Sequence, residues 1–341
     1  MKIVFYETEF WDGVYTHKQI VQKLKGYDIK FIKESVNSQN LHEAKNADVV
    51  CTFVFSRITK EQMRAWKKCK LIATMSTGYN HIDLKEAIKR KITVANVPTY
   101  GSTTVAEYTM GLILAVMRRI VLAHDKTRKG EFDLEGLRGE DLEKKTLGLV
   151  GFGKIGQEVA RRAKAFDMQV ITYDPFIDAS MAKNKGCKKV SFNELVKIAD
   201  IISLHMPLVE STYHMINKKT IAKMKDGVVI INTARGELID TNALAQAVLS
   251  KKISGVGIDV IEEENVVKDK SSVFNEHFDE AQYNMKAVVA NHIIRELGNV
   301  IVTPHNAFNS KQAIARIVDM TLENTKAFFM KKPQNVVCLK K

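Results

Sequence analysis

The sequence predicts an α/β protein built from two doubly wound parallel sheets. Three observations carry this. Short β-branched runs alternate with helix-patterned stretches along nearly the whole chain, 341 residues suffice for two buried cores, and the runs fall into two separate series. The first series is KIVFY (2–6), ADVVCTFVF (47–55), KLIAT (70–74) and ITVANV (92–97). The second is TLGLVGFG (146–153), MQVITYD (168–174), ADIISLH (199–205), GVVIINT (227–233), ISGVGIDV (253–260) and NVIVTPH (299–305). Between them, residues 104–120 show helical periodicity with small and apolar residues on more than one face, which suits a helix buried at a domain junction or a dimer interface. A second long amphipathic helix is predicted over 310–330, and it must dock onto something to bury its apolar stripe.

Composition narrows the function classes. With 45% hydrophobic and 27% charged residues, 18 Gly and 5 Pro, the chain is neither collagen-like, mucin-like nor largely disordered. The four cysteines, Cys51, Cys69, Cys187 and Cys338, are far apart and show no metal-ligand spacing, so no disulfide framework or structural zinc is expected and a reducing cytoplasm fits. Acidic residues interrupt the N-terminus MKIVFYETEFWDG before an apolar core can build, so no secretory signal is expected. The most apolar stretch, 108–117, is too short to cross a bilayer, so no membrane partner is expected. The formal charge is +13, and nearly all of the excess lies in residues 1–100 and 308–341. Its lysines are dispersed, without arginine clusters or interleaved aromatics, which reads as solvated faces rather than a nucleic-acid surface.

Gly151-Phe-Gly153-Lys154-Ile155-Gly156 follows an apolar strand and opens a helical run, the context in which a GxGxxG sequence binds a dinucleotide. Gly151 permits the tight turn, Gly153 lets the pyrophosphate approach the backbone, Gly156 allows close helix packing, and the helix N-terminus supplies N–H donors. Asp174 ends the next strand, 18 residues beyond Gly156, where a carboxylate accepts from the ribose hydroxyls and repels a 2'-phosphate. NAD is therefore expected rather than NADP. Three later strand ends carry Arg235, Glu264 (five residues after Asp259) and His305. Ligands of open α/β sheets sit outside the carboxyl ends of the strands, so a cation, a carboxylate and an imidazole there can together form a hydride-transfer site.

With these motifs the sequence resembles the D-isomer-specific 2-hydroxyacid dehydrogenase family, in particular its D-lactate dehydrogenase branch. The resemblance covers nearly the whole chain. It includes Ser76-Thr77-Gly78-Tyr-Asn-His81-Ile-Asp83, Val97-Pro-Thr-Tyr100, Val105-Ala-Glu107 and Ser203-Leu-His205-Met-Pro207-Leu208. It implies a Rossmann NAD domain (101–307) inserted into a flavodoxin-like substrate domain (1–100 plus 308–341), and pairing into a homodimer through the helix near 104–120. It implies that Arg235 clamps the carboxylate of a small anionic 2-keto or 2-hydroxy acid, aided by backbone N–H groups near Thr77 and Gly78. His305 would exchange the proton with the C2 oxygen, Glu264 would orient its ring, and Asp259 would bind the nicotinamide carboxamide. His205, Pro207, Thr233, Lys154 and Ile155 match cofactor-side positions, and Phe53 and Tyr100 match positions that close over the substrate's side chain. His81 reads as structural.

Within this resemblance D-lactate dehydrogenase, reducing pyruvate, is the expected activity. The alternatives are a dehydrogenase for glycerate or a branched-chain hydroxy acid, and an NAD-sensing corepressor of the same fold. Glu264, where formate enzymes generally have Gln, and Met75-Ser-Thr-Gly78, where phosphite enzymes have Lys, disfavour those two chemistries. The short stretch after residue 330 disfavours a phosphoglycerate enzyme with an added regulatory domain. The forty residues between Glu264 and His305 exceed the usual length, and 271–291 is open to reading as a lid, an interface flap or extra packing.

Overall fold

The computed structural model describes residues 1–11, 13–264 and 284–338. Residues 265–283, and with them most of the segment read as lid, flap or packing, lie outside the described residues.

Five parallel strands begin the chain: β1 (Lys2–Phe5), β2 (Asp28–Phe31), β3 (Val49–Thr52), β4 (Leu71–Thr74) and β5 (Thr93–Ala95). Every residue of β3 and β4 is buried, as expected for central strands covered on both faces, which is why these runs are apolar up to a closing threonine rather than alternating. Seven further parallel strands follow: β6 (Thr146–Val150), β7 (Gln169–Tyr173), β8 (Lys188–Lys189), β9 (Ile201–Leu204), β10 (Val228–Asn232), β11 (Ile253–Ile258) and β12 (Val300–Val302). The chain then returns through the helix Lys311–Phe329 to β13 (Val336–Cys338), which pairs antiparallel with β5.

The sheet orders are β13-β5-β4-β3-β1-β2 and β12-β11-β10-β9-β6-β7-β8. The parallel part of the first is the flavodoxin-like order. The second is the Rossmann order 3-2-1-4-5-6 with one more strand, and its order reverses between β6 and β9. The strands and helices group into two compact units, Met1–Gly101 with Asn309–Lys341, and Ser102–Phe308. The expected two doubly wound α/β sheets are therefore present.

Helix Ser102–Met117 buries Val105, Ala106, Met110, Leu112, Ile113, Val116 and Met117. It lies directly on β11, where a Cβ at Gly255 would stand 2.5 Å from Val116 Cγ1 and one at Gly257 3.3 Å from Leu112 Cβ. Two glycines in one strand thus make room for the helix. The helix expected to run through residue 120 instead stops at Met117, because Arg119 adopts a left-handed φ of 55°, and a separate helix starts at Ile120. Near the end of the chain, Ser310 caps helix Lys311–Phe329 through its hydroxyl, and Ile314, Ile317, Val318 and Leu322 bury its apolar stripe. Three strands, β2, β8 and β13, have no counterpart among the predicted runs.

Candidate active site

The Gly-rich turn is shaped for a phosphate. Gly151 holds φ 101°, and a Cβ there would stand 2.6 Å from the carbonyl oxygen of His205, so the turn after β6 presses against the end of β9. A Cβ on Gly156 would strike the carbonyl oxygen of Gly151, which closes the helix Lys154–Lys164 onto the turn. Gly153, by contrast, has nothing within 4 Å of its Cβ position and caps that helix without a side-chain hydrogen bond. Open space over a helix N-terminus, between two glycines that admit no side chain, fits a dinucleotide pyrophosphate. Lys154 is exposed and Ile155 half-buried.

Asp174 is locked at this turn. Its Oδ2 accepts from Phe152 N–H at 2.8 Å and its Oδ1 from Phe176 N–H at 2.9 Å, leaving lone pairs for ribose hydroxyls. His205 shares a hydrogen bond with Ser203 Oγ at 2.9 Å, while its Nδ1 is enclosed without a partner among the described residues. Burial lowers this imidazole to about 4, so it is neutral at physiological pH. The Pro207 carbonyl accepts from the Thr212 hydroxyl at 2.7 Å, and the Thr233 hydroxyl meets Thr109 Oγ1 at 3.0 Å.

Beyond β10, Asn232 braces the loop that presents Arg235: its Oδ1 accepts from Ala234 N–H at 3.0 Å and its Nδ2 donates to the Arg235 carbonyl at 2.7 Å. Arg235 is half-buried and gives one N–H to the Ala234 carbonyl at 2.6 Å. The rest of its planar fork is available to a carboxylate. His305, after β12, stands in the left-handed region at φ 56°. Asp259 holds it there: the Asp259 carbonyl accepts from His305 N–H at 2.8 Å, Oδ1 from Asn306 N–H at 2.8 Å and from the Thr303 hydroxyl, and Oδ2 from Ala307 N–H at 2.7 Å. Burial pushes the Asp259 carboxyl above its ordinary range. Glu264 Oε2 lies 3.2 Å from His305 Nδ1. A carboxylate there accepts, so Nδ1 carries the hydrogen and Nε2 is the atom left to exchange a proton with a substrate. Phe308 packs edge-on to the His305 ring, with centroids 6.3 Å apart.

In the first unit the Thr77 hydroxyl donates to the Val97 carbonyl at 2.7 Å, and Asn96 Nδ2 donates to the Thr77 carbonyl at 2.8 Å. The Ser76 carbonyl accepts from Val97 N–H at 3.0 Å. The loop is thereby fixed through its carbonyls and side chains. His81 Nε2 meets Thr74 Oγ1 at 3.1 Å. The Tyr100 carbonyl accepts from Arg316 Nε at 2.7 Å. Phe53 is 1% exposed; Phe10 stacks on it at 4.5 Å and Phe55 meets it edge-on at 5.3 Å. Beneath it, Glu7 Oε2 accepts from Phe53 N–H at 2.6 Å, the Thr52 hydroxyl at 2.7 Å and the Ser56 hydroxyl at 2.8 Å. Burial pushes the Glu7 carboxyl up.

Sequence reasoning did not single out Glu7, Phe10, Asn232, Gly236, Thr303 or Phe308. Only Phe308 had an available signal, its spacing of three from His305; the others act through folded contacts.

A Gly-rich turn shaped for a dinucleotide, in the same unit as a half-buried arginine and a carboxylate-paired imidazole, is the layout of a nicotinamide-dependent oxidoreductase. Residues 110–307 match the family described as D-isomer specific 2-hydroxyacid dehydrogenase, NAD binding domain. The chain is 34% identical over 331 residues to a D-lactate dehydrogenase of Escherichia coli, covering 95% of each chain. It is 40% identical over 270 residues to a hydroxypyruvate reductase of Thermotoga maritima, covering 79% of this chain and 81% of that one. The crystal structure of D-lactate dehydrogenase from Aquifex aeolicus complexed with NAD and lactic acid superposes with a TM-score of 0.85 at 34% identity, covering 97% of this chain and 96% of that one. The chain belongs to the D-isomer specific 2-hydroxyacid dehydrogenase family and is an NAD-dependent oxidoreductase. Among the described residues no helix is long and apolar enough to cross a membrane.

Proposed function

We propose that this enzyme reduces pyruvate to D-lactate. The observation that carries the reading is the His305–Glu264 pair at 3.2 Å, in the same unit as Arg235 and the Gly-rich cradle. Arg235 grips the substrate carboxylate through two parallel N–H bonds. The N–H groups of Thr77 and Gly78, for which the described residues offer no acceptor, serve its other side. NADH, when bound, supplies the hydride that becomes the new C2 hydrogen. His305 Nε2 delivers the proton to the C2 oxygen, and Glu264 stabilises the charged ring beforehand. Asp259 holds the nicotinamide carboxamide as well as the 303–307 turn. Lys154, Ile155, His205, Pro207 and Thr233 line the cofactor, and Asp174 selects NAD. The substrate domain is the unit formed by Met1–Gly101 and Asn309–Lys341.

Pyruvate is favoured by the aromatic group at Phe53. Phe53 forms an apolar group with Phe10 and Phe55, and Phe53 and Tyr100 match family positions that close over the substrate's side chain, which suits a methyl group. Hydroxypyruvate, suggested by the Thermotoga maritima relative, brings a hydroxyl that the three phenyl rings leave unpaired and that only the Tyr100 phenol in this group could meet. We further propose a cytoplasmic homodimer. Ile120, Val121, Phe132 and Leu134, 40–82% exposed within a short segment after the helix Ser102–Met117, support pairing on that side. NADH oxidation across glyoxylate, pyruvate, hydroxypyruvate, 2-ketoisocaproate and phenylpyruvate tests the substrate, with chiral analysis of the product. Pyruvate should lead in kcat/KM by about tenfold. A clear preference for hydroxypyruvate or phenylpyruvate, or an L product, overturns the reading.

A further inference from the structure

The turn that carries Glu264 holds a second carboxylate that none of these roles employs. Glu262 is 3% exposed, and both of its oxygens are engaged: Oε1 meets His214 Nε2 at 2.7 Å, and Oε2 accepts from Thr241 N–H at 2.9 Å and from the Thr241 hydroxyl. The same turn is fixed at three further points. The Glu262 carbonyl accepts from Asn291 Nδ2 at 2.9 Å, and Glu263 Oε1 accepts from Asn284 N–H at 2.9 Å. The backbone of Gly236, next to Arg235, lies so close to Ile261 and Glu262 that any Cβ there would run into the Ile261 carbonyl. Glu263 then takes φ 53°, and the residue after this left-handed step is Glu264, in reach of His305.

We propose that Glu262 is a positioning residue for proton transfer: clamped to His214 and Thr241, it holds the 261–264 turn so that Glu264 stays against His305. The proposal rests on the reading of His305 as proton donor. A buried carboxylate whose partners would be left unsatisfied by its departure is costly to move, so it makes a stiff anchor. Stiffness matters at this point because the Glu264–His305 contact, at 3.2 Å, is already at the long end of the hydrogen-bond range. A small drift of the turn breaks it.

The test is a double-mutant cycle in kcat, measured with saturating NADH and the 2-keto acid that the wild-type enzyme turns over fastest. Glu262→Ala should lower kcat about tenfold. In a Glu264→Gln background the same substitution should cost less than about twofold, because the contact through which it acts is already lost. Glu262→Gln should restore near wild-type kcat: its amide oxygen still accepts from Thr241, and its NH2 donates to a His214 whose proton has moved to Nδ1. Losses that multiply in the double variant overturn the proposal, as does a Glu262→Ala enzyme with wild-type kcat. A Glu264→Gln enzyme with undiminished kcat removes the proton-transfer reading itself, and the proposal with it. Should Glu262→Ala fail to melt cooperatively, His214→Ala, at a side chain 23% exposed, runs the same cycle under the same criteria.

Discussion

The two sheets share a layout and differ in what their carboxyl edges present. At the ends of β1, β3 and β4 the polar groups bond to one another: Glu7 takes three donors, and the Thr77 hydroxyl is bound to the Val97 carbonyl. At the ends of β10, β11 and β12 the internal bonds run mostly to backbone and leave the tips of Arg235 and His305 for the proposed chemistry. Asn232 and Asp259 bond to the backbone around Arg235 and His305, and those two side chains keep polar atoms without a partner among the described residues. One edge is a rim where side chains bond to one another, with Glu7 Oε1 and the Thr77 and Gly78 N–H groups left over among the described residues; the other is a platform of backbone braces that holds up Arg235 and His305. A doubly wound sheet thus has two ways to use the same end: side chains bonded to one another, or side chains bonded to the backbone that carries a charged neighbour.

The contrast can be broken most decisively at the platform. His305→Ala should lower kcat about 10²-fold or more, the usual loss of a general acid, while the melting temperature stays near wild type. A variant with near wild-type turnover would show that His305 is scaffold. Arg235→Lys comes next. An ammonium cannot reproduce the bidentate fork, so kcat/KM should fall at least about tenfold, with both constants affected. If only KM rises, Arg235 binds the ground state and does nothing more in the transition state. Asp174→Ala should bring kcat/KM for NADPH within about tenfold of that for NADH by removing the carboxylate that repels a 2'-phosphate. An unchanged cofactor ratio would assign Asp174 only to its bonds with Phe152 and Phe176.

The smallest effects come from two buried groups, Glu7 in the first unit and His205 in the second, which should respond to pH with opposite signs. Glu7 has a raised carboxyl pKa, so folding is penalised as pH rises from the ordinary glutamate range through the folded value. Glu7→Gln should therefore gain melting temperature over wild type as pH rises. His205 is held at about 4, so the unfolded chain binds its proton first, and stability falls as pH drops from about 6.5 toward 4. His205→Gln should flatten that loss. Melting curves between pH 4 and 8 decide both, and parallel slopes for each variant and wild type would refute the contrast.

Much of the fold was legible in the sequence because its central strands are apolar up to their last residue. Val49–Thr52 and Val228–Asn232 are buried along their whole length, and such runs have few alternatives. The unpredicted strands lack that signal. β2 is DIKF with no fully buried residue, β8 is two lysines, and β13 is a short return strand beside β5. The helix break at Arg119 turns on a single left-handed residue, with no glycine or proline to announce it. At the site, the Gly-rich turn is readable because backbone geometry demands glycine. Glu262, Glu263 and Glu264 are three identical letters whose bonds run to Thr241, Asn284 and His305. Only the folded chain separates their partners; the strand-end position pointed to Glu264, and the resemblance gave it a role.

The left-handed backbone of His305 sets selection for activity against selection for stability. A residue with a Cβ sits in that region at a cost of order 1 kcal/mol, which glycine would avoid. Libraries sorted for thermal resistance alone should therefore enrich glycine at position 305, and passage under selection for turnover should return histidine. The position gives engineers an internal gauge: its occupant after directed evolution reports which pressure was actually applied.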